Sequence, residues 1–234
     1  MLGVRCVKRI RAMLSLILLC LFLHLPFSHA QETFSGQYST AVVVLTPVKK
    51  MPKLKLYLEG QLRLQDRNAQ STVERHLLWG GVGYTITPKT SLWVAHGWTP
   101  NYNPQFTNEQ RSFQQILHSE IIKGGELLLR GRLEERYIPN ESTPLFWTRF
   151  MARYQRNFEK HPKFYWVVQN EVLFNANTIS RSNRRGFSQA LSFVGLGKHI
   201  TPHIMAELGY MALYLHSSKD AIEHVLMVNV FYFP

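Results

Sequence analysis

The sequence predicts an all-β chain: an antiparallel up-and-down transmembrane β-barrel of about ten strands, with twelve as the alternative. Three observations carry this. Apolar and polar residues alternate with a period of two over segments of about ten to thirteen residues. The links between those segments alternate between tight and long. The first thirty residues have the three-part layout of a secretory signal. Segment length matters most. Ordinary strands average about five or six residues, whereas a strand crossing a bilayer at a tilt needs about 9–11.

Composition narrows the field. The chain has 234 residues, 45% of them apolar, too many for a disordered chain. Beyond the signal no run of about 20 apolar residues exists, which excludes a bundle of membrane helices. The only cysteines, Cys6 and Cys20, lie in the first twenty residues. Zinc fingers, cysteine nucleophiles and disulfide scaffolds are thereby excluded for the remainder.

Residues 1–30 read as a cleaved signal peptide. Arg5, Lys8, Arg9 and Arg11 form a cationic start without an acid. Met13 to Leu23 is the apolar middle, Pro26 breaks it, and Ser28-His29-Ala30 offers the small residues of a cleavage site. Cleavage near Ala30 takes the formal charge from +12 to +8 and removes both cysteines. Residues 31–50 are an N-terminal segment or a first strand, and residues 51–234 form the barrel.

From Lys53 the alternation is plain. Leu54, Leu56, Leu58, Gly60, Leu62 and Leu64 form one face; Lys55, Tyr57, Glu59, Gln61, Arg63 and Gln65 form the other. It recurs in Leu127–Tyr137, where Leu127, Leu129, Gly131, Leu133 and Tyr137 oppose Arg130, Arg132, Glu134 and Arg136. In 146–156, Phe146, Phe150, Ala152 and Tyr154 oppose Arg149, Arg153 and Gln155. In 164–175, Phe164, Trp166, Val168, Val172 and Phe174 oppose Gln169, Glu171 and Asn175. Ten strand segments follow, near 53–65, 74–86, 91–99, 109–120, 126–137, 146–156, 163–175, 186–198, 203–214 and 221–233. An eleventh, 37–46, breaks the even parity of a bacterial barrel. It is expected as a periplasmic or plugging piece, or as one strand of twelve.

Tight links are expected at 87–90, 122–125, 159–162 and 199–202, and longer polar ones at 66–73, 99–108, 138–145 and 176–185. Short turns on one side and long loops on the other are the habit of outer-membrane barrels. The last segment alternates Leu226, Val228, Val230 and Tyr232, the kind of closing strand that barrel-assembly machinery recognises. It ends on Pro234, which a strand tolerates at its last position.

Four pieces occur in order: Leu58-Glu59-Gly60-Gln61-Leu62-Arg63, Arg130-Gly131-Arg132-Leu133-Glu134-Glu135-Arg136, Glu171-Val172-Leu173-Phe174-Asn175 and Glu207-Leu208-Gly209-Tyr210. Together they resemble an uncharacterised, domain-of-unknown-function family of Gram-negative outer-membrane barrel proteins, over roughly Gln37 to Phe233. The resemblance implies an outer-membrane barrel and no established activity. Where that family usually places an Asn-Arg pair, this chain has Ala190 and Leu191.

With lipid outside, the polar faces turn inward. Glu59, Arg63, Arg130, Arg132, Glu134, Arg136, Arg149, Arg153, Glu171 and Glu207 then form a lumen network, because unpaired charges there are costly. Arginine suits the task, since its planar fork takes a carboxylate through two bonds. A largely filled lumen with a structural or surface role is expected; a narrow path through it would favour anions. Trp79, Trp93, Trp98, Trp147 and Trp166 are expected at the membrane interfaces.

Chemistry motifs are absent. His96, His118, His203 and His224 lie in strand segments beside Ser112, Ser119, Ser188 and Ser192, without a nucleophile elbow, metal-ligand spacing or paired aspartates. A barrel hydrolase needs serine, histidine and an orienting group within hydrogen-bond reach. No enzyme, metal or cofactor is expected. Gly80-Gly81-Val82-Gly83 lacks the Lys-Ser/Thr of a phosphate loop and reads as a strand kink or close strand contact. The basic run 181–185 suits lipopolysaccharide phosphates rather than nucleic acid in an exported chain. The expected protein is an outer-membrane monomer whose partners are lipid, lipopolysaccharide and the assembly machinery. The alternatives are a soluble periplasmic barrel with its leucines turned inward around an apolar ligand, and an outer-membrane lipid-modifying enzyme.

Overall fold

The computed structural model describes residues 31–48, 50–67, 70–102, 106–180, 183–217 and 220–233. The expected signal segment lies outside these residues. Alternating side chains leave each strand with two unlike faces, and a closed sheet is the arrangement that separates them all and leaves no edge. The chain takes that arrangement. Its strands are β1 (Gln31–Val48), β2 (Met51–Arg67), β3 (Gln70–Thr87), β4 (Thr90–Asn101), β5 (Thr107–Ile122) and β6 (Gly125–Tyr137). They continue with β7 (Leu145–Asn157), β8 (Phe164–Asn175), β9 (Gly186–His199), β10 (Ile204–Leu215) and β11 (Ala221–Tyr232). Each pairs with its sequence neighbour antiparallel, and β1 pairs with β11 to close the barrel.

The strand count corrects the expectation: among the described residues it is eleven, not ten or twelve. Residues 37–46 belong to a full strand in the wall rather than to a plug. The physical consequence is a parallel seam. In an up-and-down barrel with an odd number of strands, the first and last run in the same direction. Val42 accordingly faces Val230, and Val44 faces Tyr232, in a parallel ladder.

A second correction concerns the 66–73 link. It is not a long loop, because β2 continues to Arg67 and β3 begins at Gln70. The tight turns at 87–90 and 122–125 are as expected. At the latter, Lys123 and Gly124 both have positive φ, 49° and 76°. That is the geometry of a two-residue hairpin turn whose twist matches the flanking strands. We call the barrel end holding these turns the turn end, and the opposite one, with the 138–144 and 176–185 connections, the loop end.

The wall has an apolar exterior. Leu58, Leu78, Val94, Ile116, Leu133, Phe150, Val194, Leu196, Leu208 and Leu226 are all exposed, and Leu133, Phe150 and Leu208 are each 56% exposed. Among the described residues the apolar interior gathers in three clusters. One holds Tyr165, Val167, Phe193, Met211, Leu213 and Val225, a second Trp79, Trp93 and Phe113, and a third Leu145, Trp147 and Leu173. Glycines make room for the flat rings. Trp93 pairs with Gly83 and Trp79 with Gly97 across the β3–β4 ladder, and a side chain at either glycine would collide with the indole.

Candidate functional site

The strands bring Arg and Glu together on one arc of the interior. β5 contributes Glu109 and Arg111, β6 contributes Arg130, Arg132, Glu134 and Arg136, β7 contributes Arg149, and β8 contributes Glu171. Ladder pairing sets neighbouring inward positions side by side, so ionic partners meet without reaching across the barrel.

The contacts run as one chain. Arg136 grips Glu109 with a fork, Nε to Oε1 at 2.5 Å and Nη2 to Oε2 at 3.0 Å. Arg111 donates from Nη2 to Glu109 at 3.2 Å and from Nη1 to Glu134 at 3.1 Å. Arg149 donates to Glu134 at 2.7 Å and to Glu171 at 2.8 Å. Arg130 completes Glu171 at 2.7 Å. Arg132 lies 3.7 Å from Glu134, donates to Gln115 at 2.9 Å, and stacks over Phe113 at 3.8 Å. Glu134 is fully buried and Glu171 nearly so. Each carboxylate faces at least two guanidinium groups, which offsets the desolvation of the buried charges.

Of the ten residues named from the sequence, Arg130, Arg132, Glu134, Arg136, Arg149 and Glu171 stand in this chain. Arg153 and Glu207 form a separate pair, joined by the Tyr165 hydroxyl at 2.9 Å. Glu59 accepts the Tyr57 hydroxyl. Glu59 and Arg63 line the interior but make no ion pair among the described residues. Glu109 and Arg111 were not singled out from the sequence, yet they carry one end of the chain.

The tryptophans need a third correction. Trp79, Trp93 and Trp147 are buried inside the barrel, at 3%, 5% and 5% exposure. Arg136 stacks over the Trp147 ring at 3.9 Å, and Trp147 donates to Asn175 at 2.6 Å. An interior indole cannot join an outer girdle. Trp98 and Trp166 remain on the outer side, near the loop end and the turn end respectively.

The charged arc separates two hollows. One, of about 410 Å³, opens toward the loop end beside Arg63, Arg75 and Leu215. The other, of about 700 Å³, opens toward the turn end beside Pro88, Lys89 and Phe233. Glu59, Arg130, Arg132 and Arg153 line both. At the loop-end hollow a β-bulge in β3 leaves Glu74 as an extra residue, and Arg63 and Arg75 stand directly opposite each other. Leu191 pairs with Glu171 in the β8–β9 ladder. Glu171 is satisfied from its other side by Arg130 and Arg149.

The remaining candidates scatter. His118 meets Thr90 at 2.9 Å, His203 meets the Phe233 carbonyl at 2.8 Å, and His224 meets the Tyr210 hydroxyl. His96 and Ser112 meet each other at 2.9 Å on the outer wall. The basic run 181–185 lies partly outside the described residues. No curated protein and no solved structure matches the chain. A family model does, over residues 38–223, and its description is a protein of unknown function (DUF2490). That span takes in nearly the whole barrel and the entire charged arc, and the chain therefore belongs to the DUF2490 family.

Proposed function

We propose that this chain is an outer-membrane β-barrel protein, exported behind a signal cleaved near Ala30, whose charged interior arc braces the wall. The observation that carries this reading is the inverted polarity: leucine, valine and phenylalanine outside, arginine and glutamate inside. A water-soluble barrel would present the opposite arrangement. Strand lengths of 12 to 18 residues exceed the 9–11 or so needed for a tilted crossing. Outward aromatics also gather near the two ends of the wall, Trp98, Tyr137 and Phe146 at one and Trp166, Phe164 and Tyr232 at the other. Amphipathic rings favour headgroup depth. The turn end is then periplasmic and the loop end external. Membrane lipid and lipopolysaccharide contact the wall and loops, and β11 is the strand offered to the assembly machinery.

Fractionation tests the reading. The protein should appear in the outer-membrane fraction and run faster on a gel unheated than heated. Recovery in the soluble periplasmic fraction, without that mobility shift, overturns it. Lipid-embedded quenchers should reach Trp98 and Trp166 and spare Trp79, Trp93 and Trp147.

A second reading, a narrow solute path, is favoured by the hollows on both sides of the charged arc. Arginine at that level would select anions. Single-channel recording separates the two: steady anion-selective steps support a path, and silence supports a brace.

A further inference from the structure

We infer that the outer wall carries a serine ester-hydrolase site, Ser112–His96–Gln110, whose substrate is the acyl ester of a membrane lipid. In the β4–β5 ladder His96 stands directly opposite Ser112, and Trp98 opposite Gln110. A period of two puts all four on the exterior, with Asn108. Together with Gln114 on β5 and Glu135 on β6 they form a polar patch on the outer face, bordered by exposed Leu92, Val94 and Ile116 toward the turn end and by Leu78 and Val82 on the adjoining strand. An ionisable side chain on such a face calls for a reason.

The hydrogen bonds fix a direction. The Trp98 indole can only donate, and its Nε1 lies 2.6 Å from Asn108 Oδ1. Gln110 Nε2 also turns to that oxygen, at 3.5 Å, which leaves Gln110 Oε1 as the acceptor facing His96 Nε2 at 3.1 Å. His96 Nε2 must therefore carry the proton. In the neutral ring Nδ1 is then the acceptor, 2.9 Å from Ser112 Oγ, and the serine hydroxyl is the donor. A nucleophile, a base and a group that sets the base's tautomer are the proton-handling part of an acyl-transfer site. Glu135 flanks Ser112 on β6, but its carboxylate accepts the Tyr137 hydroxyl at 2.7 Å.

There is room for a substrate. On the other side of His96 stands Gly80, with no atom within 4 Å of where a side chain would begin. An ester entering that notch meets Ser112 Oγ, which attacks the carbonyl carbon as its proton passes to His96 Nδ1. The bond to the leaving alkoxide breaks, and the alkoxide takes that proton. Water then gives a proton to His96 and adds to the acyl–Ser112 ester; the fatty acid leaves as His96 returns the proton to Ser112. Assignment of the ester to a membrane lipid rests on the reading of this wall as lipid-facing; the nucleophile–base pair does not.

The test uses the full chain purified in detergent, with a fluorophosphonate probe and, separately, micelles of phosphatidylethanolamine or of lipopolysaccharide. The probe should label the wild type and not Ser112→Ala. His96→Ala should slow labelling and fatty-acid release by about 100-fold or more, the usual contribution of a general base, and Gln110→Ala by less. Release from one lipid and not the other identifies the source of the ester. Labelling without release from either overturns the substrate class. An unlabelled wild type overturns the site, whatever its variants do and wherever the protein fractionates.

Discussion

Two arcs of the barrel interior solve the same problem with different chemistry. From β5 to β8 the wall is lined by arginine and glutamate joined into one chain. From β9 to β11 it is lined by Phe193, Met211, Leu213 and Val225, packed against Tyr165 and Val167. The apolar arc gains roughly 25 cal/mol per Å² removed from water and asks little of geometry. The ionic arc gains little net energy but suffers heavily from any single deletion, because the partner left behind stays charged and buried. Arg153 on β7 and Glu207 on β10 connect the arcs. The difference predicts that the two will fail in different ways.

The largest effect belongs at the most shared carboxylate. Glu134 accepts from Arg111 and Arg149 and faces Arg132. Glu134→Gln leaves these three cations short of their counter-charge, at a cost of about 3–5 kcal/mol. Urea unfolding of the protein in micelles measures it. The bridge between the arcs should be less sensitive. Arg153→Met leaves Glu207 still holding the Tyr165 hydroxyl, so its loss should be smaller than that of Glu134→Gln. The double variant Arg153→Met/Glu207→Leu should recover most of it, since a matched apolar pair can replace a buried ion pair without penalty. A double variant as unstable as the single one would show that this pair holds the arcs together in a way packing cannot.

The apolar arc should break by overpacking. Tyr165 lies flat against Gly197, its partner in the β8–β9 ladder, and a methyl group there meets the ring. Gly197→Ala should cost about 1–3 kcal/mol, readable by the same unfolding experiment. Gly60, outward and with nothing within 4 Å, should accept alanine at no comparable cost.

These contrasts also explain what the sequence made legible. Where Arg and Glu alternate with Leu and Phe, as on β6 to β8, the inward face is evident from period two. On β5 the outward residues that alternate with Glu109, Arg111, Phe113 and Gln115 are Asn108, Gln110, Ser112 and Gln114, polar as well. Without contrast between faces, two members of the ionic chain were hidden. The segment that becomes β1 is legible at 37–46, but Ala41 to Leu45 is continuously apolar and has no period to assign its faces, and even parity leaves its place in the wall open. The tryptophans mislead because an indole serves either side; only register, which sets Trp79 and Trp93 against glycines, decides. The Ser112–His96 contact needed the pairing of β4 with β5, a relation between strands that no single strand states.

The smallest expected effect lies outside both arcs, where the β10–β11 connection is tied by Asp220. Its carboxylate accepts from the Tyr214 hydroxyl at 2.5 Å, the Ser217 amide at 3.1 Å and His216 at 3.0 Å. The Tyr214 bond is the main cause of a carboxyl held below its ordinary value of 3.8. A depressed carboxyl favours the folded loop above the unfolded pKa, and that contribution is lost as pH falls through the folded one. The tie should thus be complete at neutral pH and released only below about 4. The Ser217 amide resonance should titrate there in the wild type and stay flat in Asp220→Asn, while global stability changes far less than in any interior variant. A large global loss in Asp220→Asn would mean that the loop end, and not the ionic arc, is the more sensitive part of the barrel.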